Sequence, residues 1–380
     1  MHGESGMTSE TERRKLDHIR ICLKKDVEAR GVTAGFDQVH LIHRALPRVD
    51  YEVVDLSTKV FGHVFSAPVV VTAITGGVGD SVRINEALAE AVEELGLGMG
   101  VGSQRAAIEN PRLERTFRVV REKAPTAFLI ANIGYSQLTS GYGIREVERA
   151  VEMIEADAIA IHLNPLQEVI QREGRPGGPD ALQRIGEVAE ALDVPVIVKE
   201  TGCGIAAEEA RALEEVGVEG VDVAGVGGTS WAAVEHHRAL EAGDWRRAEL
   251  GRQFWDWGIP TVVSLVEVAE ATNLTVIASG GVRTGLDAAK SIALGAHLAG
   301  LALPMLRAAS AGVEEVKRAL RLVVDGLRVA MFLSGARDVQ ELRRAPVVLL
   351  GWVAEWLRAR GIQPERYARR GFKGRNAHKP

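Results

Sequence analysis

The chain of 380 residues reads as an α/β protein, a (β/α)8 TIM barrel with N-terminal and C-terminal extensions, on three observations. From Ala67 onward, eight short runs rich in Val, Ile, Leu and Ala alternate with longer stretches of helical periodicity, the pattern of repeated βα units and a parallel sheet. There are 41 glycines, against roughly 27 at the average usage of about 7%, and they follow nearly every run. An open doubly wound sheet would instead carry one glycine-rich dinucleotide loop after its first strand. The only candidate, Gly76–Asp80 (GGVGD), lacks the GxGxxG spacing and an acidic partner at the end of a second strand.

Residues 1–66 should flank the barrel, 67–335 should form it, and 336–380 should add a helical segment and a basic tail. In the first part, RRKLDHI places Arg14, Lys15 and His18 where they could reach one anion if the segment folded over a barrel mouth; composition alone reads as a solvated helix start. The first run is Pro68–Ile74. The second, Leu97–Val101, leads into Ser103, Gln104 and Arg105, and the third, Ala127–Ile133, carries Asn132 near its end. All four can aim hydrogen bonds into the mouth, and Arg105 adds a fork suited to phosphate. The fourth run, Ala158–Leu163, continues as HLNPLQE, with His162, Asn164, Gln167 and Glu168. A carboxylate among neutral hydrogen-bonding groups suits Mg²⁺, which takes few protein carboxylates and keeps water and phosphate ligands. A solvent-facing Glu and a satisfied barrel histidine would look the same.

The fifth run, Pro195–Glu200, contains Lys199 between apolar neighbours. A buried lysine needs an anion or an electron-rich ring as partner, or a structural salt bridge. The sixth run is Gly220–Ala224, the seventh Thr275–Ser279 and the eighth His297–Leu301. SGGVRTG (Ser279–Gly285) and GLALP (Gly300–Pro304) end the last two, where barrels frequently bind phosphate with backbone N–H groups and a helix N-terminus. Between runs, Val82–Leu95 and Ala206–Val216 repeat apolar residues at three- and four-residue spacing and read as helices. Insertions follow the fourth run (Asn164–Pro179) and the sixth (Gly225–Pro260). The second holds Trp231, Trp245, Trp255 and Trp257, apolar material for a lid or for packing between subunits.

With 46% hydrophobic residues the chain can bury a large core, and two cysteines, Cys22 and Cys203, point to a reducing compartment rather than a disulfide scaffold. Cys203, the one candidate for a reactive-thiol loop, reads as a small packing residue. The polar N-terminus lacks a signal-peptide core, and no run approaches a membrane span, so a cytoplasmic location is expected. A net charge of −5 argues against nucleic acid as a partner. The basic tail, Pro364–Pro380, reads as a solvated, partly disordered end. Zinc spacing, a GxSxG elbow and a Walker loop are missing.

Taken together, RKLDHI, GFD, LIHRALP, DLST, ITGG, GSQRAA, NIG, HLNPLQE, KETG, GVGGTSW and SGGVRTGLDAAK, in this order from Arg14 to Lys290, resemble the type 2 isopentenyl-diphosphate isomerases, FMN-dependent enzymes of isoprenoid synthesis. The resemblance runs to about Gly335. It implies FMN contacts at Thr72, Ala73, Ile74, Thr75, Ser103, Asn132, Lys199 and Thr229, with the phosphate held by Gly281, Val282, Arg283, Ala302 and Leu303. It implies that Arg14, Lys15, Ser103, Gln104 and Arg105 hold the substrate diphosphate, that His162 and Gln167 act at the reacting carbons, and that Glu168 binds Mg²⁺. Isopentenyl and dimethylallyl diphosphate would interconvert with reduced FMN as acid and base, and NADPH would serve only to reduce the flavin. A homo-oligomer, tetramer or octamer, is implied as well. Ile74 stands where the family usually has Met. FMN-dependent 2-hydroxy acid oxidases would share the barrel, but their HGGRQ-like stretch with a catalytic His and Arg has no counterpart in AGVGGTSW.

Overall fold

The computed structural model describes residues 10–371. Eight parallel strands close into a barrel in chain order: β1 (Val69–Val71), β2 (Gly98–Gly100), β3 (Phe128–Gly134), β4 (Ala158–Leu163), β5 (Val196–Glu200), β6 (Gly220–Asp222), β7 (Thr275–Ala278) and β8 (Leu298–Leu301). β8 returns to β1 with Ala299 opposite Val69 and Leu301 opposite Val71. Each of the eight apolar runs is a strand. Several ladders stop short of the run because the last residues turn out into the loops at the mouth.

Alternation along the strands separates two cores. Val70, Ile130, Ala160, Ile197 and Ile277 point inward and fill the barrel, while Val69, Val71, Leu129, Ala131 and Ile159 point outward against the helices. A hairpin, Thr58–Val60 with His63–Phe65, plugs the closed end by adding Val60 and Phe65 to the inner core. The helix Ser81–Leu95 shows why the surrounding layer forms: Ile84, Leu88, Ala91 and Val92 recur at helical spacing and are buried, and Gly96 ends the helix in a left-handed conformation. The helix read from Ala206–Val216 spans Ala207–Glu215.

The two extensions meet. Val39–Leu41 pairs antiparallel with Val347–Leu349, and the N-terminal helix Glu10–Lys24 lies over the open end of the barrel, burying Ile21 and Cys22. The reading of its start as a solvated helix is therefore corrected: Arg14, Lys15 and His18 line the cavity beneath it, while Arg13 and Lys24 stay exposed. The described part of the tail, residues 364–371, packs on the body of the protein. Arg366 pairs with Glu270, while Arg370 donates to the carbonyls of Ala293 and Arg343 and stacks on Tyr367. Lys373, Arg375 and Lys379 lie outside the described residues.

Of the four tryptophans in the second insertion, Trp255 is buried and donates to the Glu28 carbonyl, Trp231 faces the barrel mouth, and Trp245 and Trp257 are exposed. The two cysteines are free. Burial pushes both thiols up, Cys22 to about 12, so neither is a nucleophile. No helix among the described residues is long and apolar enough to cross a membrane.

Candidate active site

Two adjoining cavities occupy the C-terminal mouth of the barrel, and Ile74, Ser103, His162 and Trp231 form part of the wall they share. The deeper cavity is lined by Thr72, Ala73, Asn132, Lys199, Thr229, Gly281, Arg283, Ala302 and Leu303. The outer one lies under the N-terminal helix and is lined by Arg14, Lys15, His18, Thr75, Arg105, Gln167 and Glu168.

One end of the deeper cavity suits a phosphate. Gly280 and Gly281 take positive φ, and the loop after β6 lies directly on them: a Cβ at Gly228 would come 2.4 Å from the Gly281 nitrogen. Backbone packed on backbone requires glycine there. The two helices that start at this end differ. Thr284 and Asp287 cap the helix Gly285–Leu294, and Asp287 also takes the Arg283 N–H. The helix Leu303–Ala311 has no side-chain cap; Pro304 has no N–H and the Met305 and Leu306 N–H groups bond the Ala302 carbonyl, so the Leu303 N–H is the one this helix leaves for an anion.

Two residues implied to hold the FMN phosphate sit differently from the others. Val282 is buried in the outer core and does not line the cavity. Arg283 lines it, but its guanidinium is already paired with Glu28 of the N-terminal extension.

At the other end Lys199 is 9% exposed, and its ammonium donates to Asp222 Oδ2 at 2.8 Å and to the Glu200 carbonyl at 3.0 Å. The Glu200 carboxylate is turned away to accept from the N–H groups of Thr201, Gly202 and Cys203. Burial pushes this carboxyl up to about 7, although those three N–H groups oppose the shift.

His162, at the shared wall, has Nδ1 2.7 Å from Asn132 Oδ1. The amide oxygen can only accept, so the proton sits on Nδ1. Burial, then the charges of Lys199, Lys15 and Arg14, pull this imidazole down to about 4, and it is neutral at pH 7. Gln104 does not reach the mouth. It is fully buried, its amide oxygen accepting from the Asn132 N–H and its nitrogen donating to the Ala150 carbonyl. The substrate contact implied for Gln104 is thus corrected to a bracket that holds Asn132 in place.

The outer cavity is cationic. Lys15 donates to the carbonyls of Gly76 and Ser103 at 2.6 and 2.7 Å. Burial, followed by Arg14 and Arg105, pulls its ammonium down to about 7. Burial and Arg105 likewise lower Arg14, and Arg105 is tied to Glu109. Opposite them, Glu168 accepts from Asn164 Nδ2 and from the Arg175 N–H.

Sequence reasoning missed Glu235, which organises this side. It is 2% exposed and accepts from His18 Nε2 at 2.8 Å, Gln167 Nε2 at 3.3 Å and Arg238 at 2.7 Å. Burial raises its carboxyl, yet His18 and Arg238 outweigh that and hold it near 2. Because Glu235 takes the Gln167 nitrogen, Gln167 Oε1 must accept from Asn164 Nδ2. Asn164 Oδ1 is left buried with no protein partner.

A closed parallel barrel with a glycine-rich loop after β7 and two cavities at its C-terminal mouth defines a class, the (β/α)8 barrels that carry their site at that face. A family model described as FMN-dependent dehydrogenase matches residues 179–349, the part that contains β5 to β8. A solved mandelate oxidase variant superposes with a TM-score of 0.62 at 20% identity, covering 90% of this chain and 100% of that one, a likeness of fold. The isopentenyl-diphosphate delta-isomerase of Methanosarcina barkeri is 51% identical over 95% of this chain and 98% of that protein. That of Pyrococcus abyssi is 48% identical over 97% of this chain and its own full length. The chain belongs to the isopentenyl-diphosphate delta-isomerase family.

Proposed function

We propose that this protein interconverts isopentenyl and dimethylallyl diphosphate, with FMN in the deeper cavity and the substrate in the outer one. The observation that carries the reading is the shared wall: a pocket with Arg14, Lys15 and Arg105 opens, past Ser103 and His162, onto a cavity with a phosphate cradle at one end and a lysine at the other. When bound and reduced, FMN supplies the acid and base for moving an allylic proton, chemistry for which an alkene is too weak a base to recruit ordinary side chains.

The chain's own residues bind and orient. Arg14, Lys15 and Arg105 offset the diphosphate charge. His162, neutral and fixed by Asn132, and Gln167, fixed by Glu235, orient the hydrocarbon end. Lys199 offsets negative charge on the reduced ring, with Thr72–Thr75 and Thr229 along its sides and Gly281, Arg283, Ala302 and Leu303 around its phosphate. NADPH serves only as reductant.

Among the described residues no cluster of three or more His, Cys, Asp or Glu side chains could hold a metal alone. That fits Mg²⁺ carried largely by substrate phosphates and water, with Glu168 as its carboxylate and the partnerless Asn164 Oδ1 as a neighbouring oxygen donor.

Protein loaded with FMN, reduced anaerobically and given Mg²⁺ should convert isopentenyl diphosphate, followed by NMR of the allylic protons; no conversion would sink the proposal. Glu168→Gln should cut turnover by about 100-fold, the scale for a lost metal-orienting group, and weaken the Mg²⁺ dependence while leaving the flavin spectrum intact. A changed spectrum would place Glu168 in the wrong cavity.

Lys15 makes a pH test available. An ammonium held near 7 is largely uncharged at pH 8, and a bound diphosphate raises its proton affinity. Substrate binding at pH 8 should therefore take up a proton that binding at pH 6 does not. Calorimetry in two buffers of different ionisation enthalpy reads this, and Lys15→Met should remove the difference.

A further inference from the structure

We infer that Asp222 is a positioning residue for the flavin site, holding the Lys199 ammonium aimed into the deeper cavity; the inference rests on FMN occupying that cavity. The three strands β5, β6 and β7 run side by side here, with Lys199 opposite Asp222 and Asp222 opposite Ile277 in register. Asp222 Oδ2 takes Lys199 Nζ at 2.8 Å, and its other oxygen takes Ser279 Oγ at 2.5 Å. Asp222 is 2% exposed and Ser279 3%. The carboxylate therefore has both oxygens committed, one to the lysine and one to the residue that opens the phosphate loop Gly280–Gly281.

Asp222 does not line the flavin cavity. It sits one layer below, in a small void with Ile130, Ile197 and Ile277, while Lys199 borders both spaces. Two of the three ammonium hydrogens are used inside the protein, on Asp222 and on the Glu200 carbonyl, which leaves the third for the cavity. The other titratable groups beside the ammonium do not compete for it. His162, opposite Lys199 on β4, is neutral, and the Glu200 carboxylate faces the turn that follows. A lysine above a layer of isoleucines and stripped of its carboxylate would swing away, because an unpaired charge in such surroundings is costly.

Two roles for Asp222 predict opposite signs. If it acts through Lys199, removing it lets the ammonium swing out of the cavity, and reduced FMN would hold its own ionisable proton more tightly. If it merely repels charge on the ring, removing it makes that proton easier to lose.

The experiment is a pH titration of the absorbance of anaerobically reduced, FMN-loaded protein, alongside FMN affinity measured by fluorescence quenching. Asp222→Asn should raise the proton affinity of bound reduced FMN about tenfold, one pKa unit. Ser279→Ala, a smaller change should Asp222→Asn fail to fold, should shift it the same way by less. In a Lys199→Met background neither substitution should add anything. An unchanged or lowered proton affinity, or an effect that persists without Lys199, overturns the inference while leaving the cofactor assignment standing. Wild-type protein that takes up no FMN overturns the cofactor assignment itself, and the inference with it.

Discussion

Glu235→Ala is expected to lose turnover by about 100-fold or more while still binding FMN, and to unfold more easily. The carboxylate is the one acceptor shared by His18, Gln167 and Arg238. Without it Gln167 loses the contact that dictates which way its amide faces, and a misplaced orienting group costs roughly 100-fold. Arg238 and His18 would be left beside an emptied, buried site. Breaking a buried pair from one side typically costs about 3–5 kcal/mol.

The sign with pH follows from the same contacts. Glu235 is held near 2, below its value of about 4.3 in an unfolded chain. Its contribution is full above that unfolded value and is lost as pH falls toward 2. Thermal unfolding between pH 7 and pH 3 should therefore separate the wild type from Glu235→Ala at the upper end and bring them together at the lower. Turnover that survives in the folded variant would show that Gln167 needs no such hold.

Gly228→Ala should leave the barrel folded and empty of FMN. Its new methyl would lie 2.4 Å from the Gly281 nitrogen and 3.2 Å from the Gly280 carbonyl carbon, and neither is a flexible side chain that could give way. The loop after β7 must move, and with it the N–H groups facing the phosphate. An affinity loss of about 100-fold corresponds to about 2.7 kcal/mol, a modest demand for displaced backbone donors. Flavin content of the purified protein and its quenching titration measure this, with circular dichroism to confirm the barrel. Normal FMN content would show that the cradle lies elsewhere.

The barrel was legible because eight apolar runs, buried on both faces, alternate with helical stretches, and most of them have glycine at the turn that follows. The mouth was legible in part for the same reason: residues at strand ends, such as Asn132, Lys199 and Ser103, could be placed by counting along the strand.

What escaped were the carboxylates that hold these residues. Glu235 lies in WAAVEHHRALE, where a Glu beside two His and an Arg resembles a solvated helix face. Its position four residues after Trp231 and four before Ala239 was the available signal, since it puts the acid on the buried side. Asp222 carried a plainer signal, an acid inside GVDVA. Gln104 was misread because a polar residue just past a strand can turn inward to the backbone as readily as outward to the mouth.

The short sheet formed by Val39–Leu41 and Val347–Leu349 has a consequence for how the molecule is made. A chain emerging from the ribosome starts at its N-terminus, yet the strand that follows the helix over the barrel mouth has its partner more than 300 residues downstream. The eight strands can be synthesised in full before that partner is available. The helix over the mouth is held by Glu235 and Glu241, made well before that partner, so a truncation just before Val347 would strip Val39–Leu41 of its pairing and leave that helix its own contacts.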